Sequence, residues 1–261
     1  MTLELRGARV LVTGASSGLG RAMAAALARD YEAHVLALAR RQDALEDLAA
    51  AADAWPGAIE PVVLDVTDTP ARQAWLQEVG PLSAAILNAG MTLTGPFSKQ
   101  SATKREQMIA LNVTATTAMA QELAPLLSAG RGALMLVASL GGLTPLPYQA
   151  AYGASKAYLV SLGLALQQEW KRQGVSVTTF APGGIATEMT SGAEFASQQR
   201  HLQPADDVAA AALKALSERQ GLVVPGMQNK LMAAALKILP PSLAAAIVER
   251  QFRKDMTADR A

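Results

Sequence analysis

Seven short apolar runs, spaced by helix-length segments, constrain this chain more than any other feature. They are Arg9 to Thr13, His34 to Ala39, Glu60 to Leu64, Ala84 to Leu87, Ala133 to Ala138, Val175 to Phe180 and Leu222 to Val224. A strand with one wet face alternates apolar and polar residues, whereas a strand covered on both faces reads as a continuous apolar run. Between the runs lie helical patterns at Leu19 to Asp30, Ala44 to Ala52, Pro70 to Val79, Lys104 to Leu127, Ala151 to Gln173 and Pro204 to Arg219. Regular alternation of the two predicts an α/β fold, a doubly wound parallel sheet of about seven strands with helices on both faces. The 261 residues are 51% hydrophobic but only 4% aromatic, so the core must be aliphatic. No linker, repeat or low-complexity segment divides them, and residues 1–261 read as one domain.

Composition removes several function classes. The formal charge of +1 gives no global field for a polyanion, so no nucleic-acid partner is expected. The absence of cysteine excludes disulfides, thiol nucleophiles and thiolate metal sites together, and two histidines, His34 and His201, are too few for most metal centres. The N-terminus runs straight into a strand pattern without the basic and apolar regions of a signal peptide. The apolar stretch Leu231 to Val248 is interrupted by Lys237 and Pro240-Pro241 and is too broken to cross a bilayer. The expectation is a cytoplasmic protein.

In doubly wound sheets ligands bind beyond the C-terminal strand ends. After the first run comes Thr13-Gly14-Ala15-Ser16-Ser17-Gly18-Leu19-Gly20, opening a helix. Glycines let a backbone approach a pyrophosphate, and free amides at a helix N-terminus attract its charge. The spacing, Gly-x-x-x-Gly-x-Gly, departs from the common dinucleotide fingerprint, and Gly14 to Gly18 also spell Gly-x-Ser-x-Gly, the nucleophile elbow of serine hydrolases. A hydrolase would need a later acid and a histidine, for which only His201 stands downstream, and it would leave Gly20 unexplained.

A second cluster opens the helical pattern after the fifth run. Tyr152 and Lys156, at i and i+4, share a helix face, with Ser139 just after the strand. An ammonium at about 4 Å, in an effective dielectric of about 20, favours a phenolate by roughly 4 kcal/mol, or about three pKa units. That would bring the phenol from about 10 towards neutrality, where it could act as general acid or base. Further polar or glycine residues follow the runs in order: Asn88-Ala89-Gly90 and Pro182-Gly183, with Asn112 in the intervening helix.

Taken together these motifs resemble the short-chain dehydrogenase/reductase family, over residues from about Leu5 to Val224. The resemblance implies a Rossmann-type fold and NAD(P)-dependent interconversion of a carbonyl and an alcohol. It implies a catalytic tetrad in which Ser139 bonds the substrate carbonyl, Tyr152 transfers the proton, Lys156 lowers the tyrosine pKa and holds the nicotinamide ribose, and Asn112 anchors a proton-relaying water. By the same resemblance the cofactor lies against Gly14, Ser16, Ser17, Gly18, Leu19 and Gly20, with Asp65 and Val66 at the adenine, Asn88, Ala89 and Gly90 alongside, and Pro182, Gly183, Ile185 and Thr187 around the nicotinamide. Leu87 departs from the family pattern, where many members carry a second asparagine, and is expected in the core. A homodimer or homotetramer packed through the helices of Asn112 and Tyr152 is implied. Non-catalytic NAD(P) sensors share such folds but need no tyrosine and lysine pair. Extended-branch epimerases favour another glycine spacing and a longer C-terminal region.

The second strand ends at Ala39, where NAD enzymes place a carboxylate, and continues into Arg40 and Arg41, which suit a 2′-phosphate; NADP(H) is expected over NAD(H). Tyr148, Tyr158 and His34 are expected to pack rather than react. Residues 184–204, with Ile185, Met189 and Phe195, read as a substrate lid, and 225–261 as a C-terminal extension. The surplus Leu and Ala of Met227 to Val248 suits an apolar substrate pocket or a partner subunit more than a membrane surface, although Arg250, Arg253 and Lys254 would permit the latter.

Overall fold

The structure, a computed structural model, describes residues 2–192, 199 and 202–258. Its centre is a parallel sheet built from β1 (Arg9–Thr13), β2 (His34–Ala39), β3 (Ala58–Val63), β4 (Ala84–Leu87), β5 (Ala133–Val137), β6 (Ser176–Phe180) and, after two short strands, β9 (Leu222–Val223). The order across the sheet is β3-β2-β1-β4-β5-β6-β9. It reverses between β1 and β4, which opens a crevice at their C-terminal ends. A separate pair, β7 (Ile185–Ala186) with β8 (Gln203–Pro204), ties together the two ends of the segment after β6. Sequence periodicity could not find it, because two residues carry no period.

Two aliphatic cores cover the sheet. Val10 and Val12 of β1 and Met135 and Val137 of β5 face α1 (Gly18–Asp30), α2 (Gln42–Ala52) and α7 (Ala205–Ser217). Their neighbours Leu11, Leu134 and Leu136 face α3 (Thr69–Val79), α5 (Thr116–Ser128) and α6 (Ala150–Trp170). Both faces are covered, so both alternating sets of residues must be apolar, which accounts for the continuous runs. Burying each such Leu or Val is worth about 1.5–3 kcal/mol. The exception is β3, where exposed and buried residues mix; it pairs only with β2, and Pro61 is tolerated because an edge strand has a free side. Leu87 lies in the core as expected.

Two departures bear on function. The helix expected over Lys104 to Leu127 is three pieces: α4 (Ala102–Ile109), a π-helical turn Ala110–Ala115 and α5. Asn112 sits in that turn, and π-bulges gather at functional sites because the extra residue re-aims a side chain. Second, α6 crosses the sheet so closely that a Cβ at Gly163 would stand 2.0 Å from Thr179 Oγ1 and 3.3 Å from Leu136 Cδ1. Beyond β9 the chain adds α8 (Met227–Ile238) and α9 (Pro241–Ala258), joined through Leu239 and Pro240.

Candidate active site

A cleft of about 750 Å³ lies across the C-terminal ends of β1, β2, β4, β5 and β6. Gly14, Ser16, Ser17, Gly18, Leu19, Arg40, Arg41, Asp65, Val66, Asn88, Ala89, Gly90, Ser139, Tyr152, Lys156, Pro182, Gly183, Ile185 and Thr187 all line it. Two of the residues singled out in the sequence do not. Gly20 stands behind the loop, where a Cβ would lie 2.2 Å from the Gly14 carbonyl oxygen, so it allows the loop to close rather than lining it. Asn112 is fully buried behind the wall.

The loop floor is held by one residue that the sequence motifs did not pick out. Thr13 Oγ1 accepts the amides of both Asn88 and Ala89, at 3.0 Å each, while Asn88 Nδ2 donates to the Thr13 carbonyl at 3.1 Å. This stitches the end of β1 to the end of β4 at the switch point. Helix α1 starts at Ser17 with no side-chain cap and no acidic residue in its first turn, so its first amides face the cleft without a competing side-chain acceptor. Gly14, with φ of +71°, and Gly18, with φ of +50°, take the left-handed backbone that carries the loop round those amides. An uncapped helix start over a Cβ-free cradle fits a pyrophosphate. Among the described residues the Ser16 hydroxyl accepts from Arg41 Nε at 3.3 Å, and His34 is at the opposite end of β2, beside Glu60. His201 and Phe195 lie outside the described residues.

At one end of the cleft the charges are exposed. Arg40 Nη1 lies 3.5 Å from Asp65 Oδ2. Burial pushes the Asp65 carboxyl up, but hydrogen bonds from the Thr67 amide and hydroxyl, with the Arg40 charge, outweigh it and leave the carboxyl below its usual range. Arg41 spans the glycine loop and the chain after β7: its Nη2 donates to the Ser16 carbonyl at 3.3 Å and its Nη1 lies 3.4 Å from Glu188 Oε2. Ala39 leaves no acid at the end of β2.

At the other end the polar groups are taken out of water. Lys156 is buried and its Nζ donates to the Val137 carbonyl at 2.9 Å, 5.9 Å from the centre of the Tyr152 ring. Burial lowers its ammonium to about 8. Tyr152 opens to the cleft with Ser139 beside its hydroxyl, and the Ser139 Oγ accepts from the Gly141 amide at 3.1 Å. The expectation that Lys156 would draw the phenol towards neutrality is corrected here. Burial pushes the Tyr152 phenol up, and the Ser139 bond offsets only part of that. The lysine nitrogen stands over the ring, 5.9 Å from its centre, and donates to the Val137 carbonyl, and it is not among the causes of the shift.

Asn112 acts as a strut. Its Oδ1 accepts the Met91 amide at 2.9 Å, and its Nδ2 donates to the Met91 carbonyl at 2.9 Å and to Ser155 Oγ at 3.1 Å. Ser155 passes its own proton to the Tyr152 carbonyl at 2.7 Å. A Cβ on Gly90 would meet Asn112 Oδ1 at 3.2 Å and Lys156 Nζ at 3.4 Å, which fixes how near these groups lie. Gln149, buried in the cleft wall, donates to Thr94 Oγ1 at 2.8 Å and Thr92 Oγ1 at 3.3 Å. It was not singled out; the available signal was a glutamine at a helix start, where Ser, Thr, Asp or Asn is usual. Tyr158 meets the Thr117 hydroxyl at 3.0 Å on the surface. Tyr148, at φ of +63°, donates to Glu249 Oε1 at 3.0 Å, and Glu249 is paired with Arg253. Neither tyrosine lines the cleft.

The roof comes from the C-terminal elements. Asn229 and Met232 of α8 and Val248, Gln251 and Phe252 of α9 line the cleft, as do Met189 and Leu202 of the segment after β6.

Comparison with known proteins places this geometry in a class. The family model of the short chain dehydrogenases matches residues 8–197. The chain is 31% identical over 252 residues to the ketoacyl reductase HetN of a Nostoc species, covering 92% of this chain and 88% of that one. It is 33% identical over 192 residues to the gluconate 5-dehydrogenase of Gluconobacter oxydans, covering 72% and 75%. A short-chain dehydrogenase from Sphingobium yanoikuyae, solved in complex with NADPH, superposes with a TM-score of 0.78 at 30% identity over 88% of this chain and 94% of that one. The chain belongs to the short-chain dehydrogenase family and is an NAD(P)-dependent oxidoreductase.

Proposed function

We propose that this chain interconverts the carbonyl and secondary alcohol forms of a predominantly apolar substrate, using NADP(H). The observation that carries the reading is that Ser139 and Tyr152 line the same cleft whose far end carries Arg40 and Arg41. The fit of the loop supports a dinucleotide: Ser16 to Leu19 would hold its phosphates, Arg40 and Arg41 a 2′-phosphate, Asp65 and Val66 the adenine, and Asn88 to Gly90, Lys156 and Pro182 to Thr187 the nicotinamide end. When bound it supplies or accepts the hydride. The rest falls to the chain. Ser139 Oγ donates to the substrate oxygen, and Tyr152 gives that oxygen its proton in reduction and recovers it in oxidation. A phenol raised by burial rests protonated, which is the form reduction requires. Lys156 replaces the lost proton's charge, and Asn112, through Ser155, fixes the turn of helix that carries both.

The substrate end supports apolarity. Its walls include Leu140, Leu146, Met189, Leu202, Met232 and Phe252, with neutral amides rather than cations between them. Identity to a ketoacyl reductase over 92% of the chain accords with an acyl-chain-like ketone. Segment 184–204 serves as the lid and 225–261 as a roof on a single domain. We further infer a cytoplasmic homodimer or homotetramer packed through α5 and α6, where Ile109, Tyr158 and Leu164 are exposed beside that face. The test is to follow NADPH absorbance with a ladder of ketones of growing chain length. Turnover should rise with added methylenes, and Tyr152→Phe should keep fold and NADPH binding while losing about 10²–10⁴-fold in turnover. Activity within a few-fold of the parent would reject Tyr152 as the acid.

A further inference from the structure

Half of the exposed large apolar side chains among the described residues fall in one short stretch: Met227, Leu231, Met232, Ile238, Leu243 and Ile247. On α8 the spacing of Met227, Leu231 and Ile238 puts them on one helix face, and Leu243 and Ile247 do the same on α9. A surface helix normally turns such a stripe inward. Here apolar residues stand on both sides: Met232, Val248 and Phe252 line the cleft with the amides Asn229 and Gln251, while Leu231 is 65% and Ile238 85% exposed. Single exposed apolar residues need no explanation, but a contiguous patch does.

The charge around the patch says what covers it. Residues 227–258 hold Lys230, Lys237, Arg250, Arg253 and Lys254 against the two acids Glu249 and Asp255, in a chain whose net charge is only +1. Lys230 and Arg250 are exposed beside the apolar stripes, and Glu249 is already bonded to Tyr148 and Arg253. A second copy seated here by two-fold symmetry would bring two like-charged rims together, which costs affinity. An anionic lipid surface satisfies both features, taking the apolar side chains into its acyl boundary and the cations at its headgroups. No helix among the described residues is long and apolar enough to cross a membrane, so the hairpin would lie on the surface.

We propose that the outer face of α8 and α9 docks this protein on anionic lipid, with the cleft mouth beside it. Met232 belongs to both surfaces, being half exposed and lining the cleft, and Met189 is the same on the opposite lip. The docking does not depend on the redox reading, since its test measures partitioning and not turnover. The full chain is sedimented with vesicles of phosphatidylcholine alone and of phosphatidylcholine mixed with phosphatidylglycerol, with light scattering of the free protein in parallel. Binding to the mixed vesicles should be at least about tenfold tighter than to the neutral ones, and Lys230→Gln with Arg250→Gln should remove most of that preference. Leu231→Ser with Ile238→Ser, at exposed positions that leave the melting temperature unchanged, should weaken binding by about tenfold or more. Absence of binding to mixed vesicles, or binding that the serine pair leaves unchanged, overturns the proposal. So does a serine pair that turns a soluble oligomer into a smaller one, since a second copy then covers the face.

Discussion

The two ends of the cleft treat their polar groups in opposite ways, four charges at one end and a single lysine at the other. Around the glycine loop, Arg40, Arg41, Asp65 and Glu188 keep much of their surface in water, and the contacts of the two arginines, at 3.3–3.5 Å, are loose. Around α6, Lys156 and Asn112 are buried, their hydrogen bonds are 2.9–3.1 Å, and burial lowers the lysine to about 8. Charge in water is screened and cheap to rearrange, whereas charge taken from water is costly and held by few partners. One end is therefore suited to selecting a ligand, the other to changing protonation during a reaction.

The contrast can be broken most severely at Lys156. Lys156→Met should cost about 10²–10⁴-fold in turnover, because a buried charge beside the acid has no substitute. It should also change the pH dependence of stability. A lysine with a folded pKa of about 8 binds fewer protons folded than unfolded between that value and its ordinary 10.5, so the parent's stability gains on the variant as pH rises through this window. Urea midpoints at steps from pH 7 to 11 would read it; parallel curves for parent and variant would mean that burial does not depress this ammonium.

At the exposed end effects should be an order of magnitude or less. Arg40→Ala should weaken NADPH binding by about tenfold and NADH binding by less than about twofold, since only the former offers the guanidinium a phosphate. Equal losses in a fluorescence titration would show that Arg40 does not discriminate. The smallest effect is expected at Glu188, which competes for Arg41 across the mouth. Glu188→Gln should tighten NADPH binding by about twofold and do so less at high salt, because the competing charge is exposed. A salt-independent change would point instead to a shift of the chain after β7.

The same contrast governs what could be read from the residues alone. The sheet was legible because strands covered on both faces need apolar residues at every position, and Tyr152, Lys156 and the glycine loop because i, i+4 spacing and tight turns are local. The direction of the Tyr152 shift was not, since burial is a property of the packed site and a pairwise charge estimate omits it. Asn112 was found, but its bonds to Met91 and Ser155 depend on a π turn that no hydrophobic period announces. The roof was half legible. The pattern marked Met227 to Val248 as surplus apolar surface, and only the fold divides it into the residues that line the cleft and those that stay exposed.

The contact at Gly163 sets a tolerance for the whole site. Helix α6 rests on β6 with no clearance for even a methyl group, and Tyr152 and Lys156 ride on that helix while Ser139 follows the neighbouring strand. The spacing between acid and strand end is thus gauged by a helix-on-strand contact about three turns away and not by the reacting groups themselves. A single added carbon would act as a shim, lifting the tyrosine from the serine while leaving every residue of the site in place.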